Sequence, residues 1–169
     1  ILLKLCLDIQ NDIYSLLPKS RQVNSYCKLL PENDINILNF RNYRNVLGKF
    51  ICGKVLGKDY NKKKSHPGGR YNSYRYYWVN ITNYSTKNGG DTVEFRCHSG
   101  TIDYDKIYKW LLICMSIVKY AENNIKRIYM SGLSKTKITL DEVLKYSLNK
   151  TDYKKIMEYC IKRKNKFKN

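Results

Sequence analysis

DTVEFRCHSGTIDYDKIYKW, residues 91–110, runs from a short alternating strand into an amphipathic helix. Side chains alternate across a strand, so Thr92, Glu94, Arg96 and His98 point one way while Val93, Phe95 and Cys97 point the other. The apolar set needs a core to cover it. The polar set is either a solvated face, as charged faces of antiparallel sheets commonly are, or a site.

The flanking sequence supplies partners for both faces. Upstream, YRYYWVNI (residues 74–81) is aromatic and β-branched and reads as a second strand. TNYSTKNGGD between the strands supplies hairpin turn chemistry in a somewhat long loop, and an antiparallel pair is the simplest arrangement. Downstream, Asp103 is placed to cap a helix over Tyr104 to Asn123. Ile107, Trp110, Leu111, Cys114, Ile117, Val118 and Ala121 form an apolar stripe along it.

Further out, residues 1 to about 17 have helical spacing, with Leu2, Leu5, Ile9 and Ile13 on one face, and Pro18 ends the run. A loop follows, then a mixed apolar stretch from Ile37 to about Leu56 that has the composition of a second helix interrupted by Gly48 and Gly53. GKDYNKKKSHPGGRYNS (residues 57–73) reads as an exposed basic loop. The last helix starts at a capping box, Thr139 to Glu142, and runs in two pieces to the basic tail IKRKNKFKN. Helices flanking an antiparallel β-hairpin define an α+β fold.

At 169 residues and 43% hydrophobic composition the chain fits one domain over residues 1–169, with residues 124–169 a helical, basic C-terminal extension. No eighteen-residue apolar run is present, and the opening helix is broken by Lys4, Asp8 and Asp12, so the sequence reads as having no membrane span and no signal peptide. Six cysteines without a C-x-x-C pair read as reduced, buried thiols of a cytoplasmic protein. The formal net charge of +18 suits a nucleic-acid partner. A Lys-, Asn-, Ile- and Tyr-rich composition with a single alanine, Ala121, explains the same charge by codon bias. The chain starts inside a helical pattern without a cap, as the C-terminal part of something longer would.

Glu94 and Arg96 on one strand face offer a specific chemistry. A carboxylate can ligate Mg²⁺, which takes one or two protein carboxylates together with phosphates. A guanidinium beside it can grip phosphate or a substrate carboxylate in two-pronged fashion and neutralise developing charge. The pair suits ATP chemistry better than hydrolysis by paired acids. No Walker A loop or G-x-G-x-x-G occurs, so a nucleotide would have to lie on the sheet.

R-Y-Y-W-V-N-I (Arg75–Ile81), T-V-E-F-R-C-H-S-G-T-I-D (Thr92–Asp103) and the helix with K-W-L-L resemble the C-terminal signature of the amidoligase family. S-R-Q-V-N-S-Y-C (Ser20–Cys27) resembles that family's Arg-x-x-Asn-x-Tyr-Cys segment, and the similarity spans about residues 1–123. The resemblance implies a carboxylate-amine ligase related to glutamine synthetase and glutamate-cysteine ligase. In such enzymes an antiparallel sheet holds ATP and Mg²⁺, a carboxylate is activated as an acyl phosphate, and an amine displaces the phosphate. It implies Glu94 as a Mg²⁺ ligand and Arg96 as a group that binds the phosphoryl moiety or the acid. Arg75, Asn80, Arg21 and Asn24 match other family positions, as phosphate- or substrate-binding candidates. Arg21 is equally placed to cap the preceding helix.

The family also carries an acidic strand motif and a His-x-His strand, and this sequence contains neither. Its histidines do not replace them. His66 falls in the Lys-rich loop, and His98 stands where an apolar or aromatic residue is usual. The resemblance therefore implies a partner, the N-terminal half of the domain, without which this chain is inactive. Two other functions compete: a nucleic-acid grip built on the basic loop with stacking tyrosines, and a non-catalytic remnant of the same fold.

Overall fold

The structure, a computed structural model, describes residues 1–32, 73–81, 92–134 and 136–168. Its elements are α1 (Leu2–Tyr14), α2 (Lys19–Gln22), a 3₁₀ turn (Ser73–Tyr76), β1 (Val79–Asn80), β2 (Glu94–Phe95), α3 (Tyr104–Asn123), α4 (Ile125–Ser134), α5 (Leu140–Ser147) and α6 (Lys150–Phe167). The fold is α+β, mostly helical with a small antiparallel sheet. The chain divides into two compact units, residues 1–23 with 97–169 and residues 24–96. The Ile37 to Leu56 stretch, the basic loop up to residue 72, the turn at 82–91 and Cys52 lie outside the described residues.

In the helical unit, α1 is the central helix. Leu5, Ile9 and Ile13 are completely buried, as their spacing predicts. Lys4 is buried as well, its Nζ 2.6 Å from Asp8 one turn on, which keeps the charge paired inside the core. Just beyond the end of this helix, Arg163 Nε donates to Leu16 O at 2.8 Å and Gln22 Nε2 donates to Leu17 O at 2.8 Å.

Helix α3 starts where its cap predicts, the Asp103 carboxylate accepting from Lys106 N at 3.2 Å. Its rotation differs from the expected stripe. The buried residues are Ile113, Ser116, Ile117, Tyr120 and Ala121, whereas Ile107, Leu111 and Val118 are exposed. Two apolar stripes with helical period share this helix, and polar anchoring chose between them. The Tyr120 hydroxyl donates to Glu142, and Ser147 Oγ donates to Ser116 O at 3.0 Å. These bonds reach α5, with which α3 makes its most extensive packing.

Thr139 caps α5 by accepting from Glu142 N at 3.2 Å, but the Glu142 side chain does not complete a reciprocal box. Its carboxylate is held instead by Tyr120 and by both Nε and Nη2 of Arg127. Asp12 of α1 takes over part of the cap, accepting from Leu140 N at 3.1 Å. The C-terminal helix comes in two pieces, as expected, because α5 ends before Leu148 and Asn149 opens α6 by accepting from Asp152 N at 2.9 Å. Helix α4, within the stretch expected to be helical, follows the break at Asn124 and buries Ile128.

Among the described residues the strands are shorter than their sequences suggest. β1 and β2 pair antiparallel, with Val79 opposite Phe95 and Asn80 opposite Glu94. The expected strand over residues 74–81 is strand only at its end, since Ser73–Tyr76 coil into a 3₁₀ turn. A neighbour that the sequence did not announce adds to the sheet. Lys28 bridges Tyr77 in parallel, through Lys28 N to Tyr76 O at 2.7 Å and Trp78 N to Lys28 O at 2.9 Å. Trp78 is fully buried, its ring centre 6.0 Å from that of Phe95.

Cys6, Cys27, Cys97 and Cys160 are buried and Cys114 half-buried, and none of these is in a disulfide. Burial pushes the Cys114 thiol up to about 12 and that of Cys160 up to about 11, so both stay protonated and unreactive at neutral pH. No helix among the described residues is long and apolar enough to cross a membrane.

Candidate functional site on the two-stranded sheet

Pairing brings Asn80 and Glu94 directly opposite one another on the same face. Asn80 is 4% exposed, and its Nδ2 donates to Glu94 Oε2 at 2.9 Å. Arg96, two residues along the same strand face, reaches the same oxygen with Nη1 at 3.3 Å. The Arg96 backbone is fixed by its own N–H, which donates to Trp78 O at 2.8 Å. A buried amide and a backbone-anchored arginine thus hold one oxygen of a carboxylate whose side chain is still 51% exposed.

The 3₁₀ turn adds a second cation. Arg75 Cζ lies 5.7 Å from the centre of the Tyr76 ring and Arg96 Cζ lies 6.0 Å from it, so one phenol ring carries two guanidinium groups. The Tyr26 ring stands edge-on to Tyr76 at 5.2 Å. Tyr76 is the residue that sequence reasoning missed. The run R-Y-Y contained the signal, but a strand reading sends alternate residues to opposite faces and hides the ring that two arginines share.

Of the six residues singled out from the sequence, Glu94, Arg96 and Asn80 come together and Arg75 joins them through Tyr76. Asn24 is occupied locally, its Oδ1 accepting from Tyr26 N at 2.7 Å in a turn that leads to the Lys28 bridge. Arg21 belongs to α2 in the helical unit. His98 is half-buried in that unit, its ring stacked on Trp110 at 5.0 Å. Burial, reinforced by Lys106, Arg163 and Arg21, pulls its pKa down to about 4, so it is a neutral ring at physiological pH.

As chemistry, the sheet presents one oriented, accessible carboxylate beside two fixed arginines. No group of three or more His, Cys, Asp or Glu side chains able to hold a metal occurs among the described residues. Among the described residues, the accessible carboxylate this face offers a cation is that of Glu94.

A family model described as "Putative amidoligase enzyme" matches residues 2–118, a span that takes in α1, the sheet and most of α3. The chain belongs to this amidoligase family. Neither the curated proteins nor the solved structures compared with the chain include a match.

Proposed function

We propose that the chain acts in ATP-dependent ligation of a carboxylate to an amine, with the Asn80–Glu94–Arg96 face as the part of the site that handles the phosphates. The observation that carries the reading is the clamp on Glu94, together with family membership. Asn80 and Arg96 hold Oε2, and no hydrogen bond to Oε1 is formed among the described residues. That arrangement suits a Mg²⁺ ion bound by one protein carboxylate and by phosphate oxygens. When bound, the ion would screen phosphate charge and orient the transferring group.

The residues of the chain supply the rest. Asn80 orients the carboxylate through a bond that cannot swing away, because the amide is buried. Arg96 and Arg75, held on the Tyr76 ring, present guanidinium groups to an anion on this face, either the transferred phosphoryl group or the acid substrate. The acid would be activated as an acyl phosphate, and the amine would expel phosphate to leave an amide. Further metal ligands have to come from outside the described residues.

The test is Mg-ATP binding followed by thermal unfolding. A ligand that binds only the folded state raises the melting temperature, and Glu94→Gln, which keeps the Asn80 bond but removes the charge, should abolish most of that rise. An equal rise in the wild-type chain and in Glu94→Gln would move the nucleotide elsewhere and end this reading.

A further inference from the structure

The stripe of α3 that the core did not use remains open. Tyr104, Tyr108, Leu111, Met115 and Val118 are each between 40% and 77% exposed. They follow one another at alternating steps of four and three residues, and Glu122 continues the series to the end of the helix. That alternation has the coiled-coil repeat, which keeps a seam turned toward a second helix along its whole length. The Tyr104 and Tyr108 rings already stack at 6.0 Å, so part of the seam is ordered in advance.

We infer that this seam pairs with the same seam of a second copy of the chain, the two α3 helices running antiparallel. Turned end for end about Ile113, the seam complements itself. Leu111 of each copy faces Met115 of the other, and Tyr108 faces Val118. The phenol of Tyr104 reaches the carboxylate of Glu122, which turns the one charged seam position into a hydrogen-bonded one. On the flank next to the seam, Asp105, whose Oδ2 pairs with Lys109 of its own helix at 2.5 Å, comes beside Lys119 of the other copy. Lys119 Nζ donates one hydrogen to Ser147 O at 3.0 Å and has two left for a carboxylate. A parallel pairing would set Glu122 against Glu122 and leave Lys119 beside Cys114 rather than beside Asp105, so charge as well as packing selects the antiparallel one.

The contact between Leu111 and Met115 occurs twice in such a dimer, which makes the pairing testable by charge. Both residues are exposed in the single chain, so Leu111→Glu and Met115→Lys leave its core intact. Sedimentation across a dilution series should show the wild-type chain as a dimer and each variant with self-association weakened at least about tenfold. An equimolar mixture of the two variants should recover dimer, because a mixed pair has one Glu–Lys contact and one native Met–Leu contact. A wild-type chain that sediments as a monomer throughout would overturn the inference. So would a mixture no tighter than its components, which would show that another helix occupies the seam.

Discussion

Asn80 and Glu94 face each other across the sheet, and the 2.9 Å bond from the Asn80 amide to Glu94 Oε2 joins a buried polar group to an accessible carboxylate. Asn80→Ala should cost about 1–3 kcal/mol of stability by removing that bond and leaving a small void. Asn80→Asp should cost more at neutral pH, because a second carboxylate then lies buried beside the first. Lowering the pH protonates the new group, so the gap between the two variants should close on acidification. Chemical denaturation of both variants over a pH series measures this; a gap independent of pH would show that Glu94 is not the partner.

The two guanidinium groups on Tyr76 make a separate prediction about anion binding. Arg96→Lys keeps the charge but cannot donate two parallel N–H bonds to a phosphate, and the ammonium loses contact with the ring. Nucleotide affinity should fall about tenfold or more in Arg96→Lys and further in Arg96→Gln, as read by calorimetric titration with Mg-ATP. Tyr76→Leu should weaken binding by a smaller factor, since the arginines lose their platform but keep their charge. Equal affinity for Arg96→Lys and the wild type would mean that Arg96 serves only to hold Glu94.

The Glu142 hub links α3, α4 and α5 through one side chain, and its prediction concerns stability alone. Tyr120→Phe removes the hydroxyl that donates to Glu142 and leaves the carboxylate to Arg127. A loss of about 1–2 kcal/mol is expected. Thr139→Ala should cost about 1 kcal/mol through the cap of α5. The double variant should lose more or less than the sum, because both bonds position Glu142. Strict additivity in a thermal-denaturation cycle would show the cap and the hub to be independent.

Sequence alone was enough to locate α1, α3 and the start of the C-terminal helices, because Pro18, Asp103 and Thr139 act on their immediate neighbours. It also placed Glu94 and Arg96 on one strand face, since strand alternation is local too, whereas the position of Asn80 opposite Glu94 is set by the pairing of the two strands. What escaped was decided by contacts between distant residues. The rotation of α3 depends on Tyr120 finding Glu142 and on Ser147 finding Ser116, and both stripes of that helix satisfy the helical period equally well. The Lys28 bridge beside Tyr77 is a parallel pairing across a long stretch of chain and has no local signal. The 3₁₀ turn at Ser73–Tyr76 overrides the β-propensity of an aromatic run, and with it comes the arginine platform that a strand would have split between two faces.

His98 gives the pH dependence a defined sign. Its pKa in the folded chain is held down to about 4 by burial and by the positive charges of Lys106, Arg163 and Arg21, against about 6.5 for an unperturbed histidine. Between those values the unfolded chain binds more protons than the folded one, so stability rises with pH across the window. The loss on acidification begins near pH 6.5 and is complete below about 4, where both states are protonated. Because the ring is half-buried, solvent screens part of the effect. Other carboxylates titrate toward the lower end of the same range, so the measured quantity is the difference between the wild-type chain and His98→Gln. Thermal unfolding from pH 7 to pH 4.5 should show the wild type losing stability faster than the variant. The stack on Trp110 provides a second readout, since indole fluorescence should respond when the ring gains its proton. Parallel stability curves for the two proteins, with no change in indole emission, would place His98 in water rather than against Trp110.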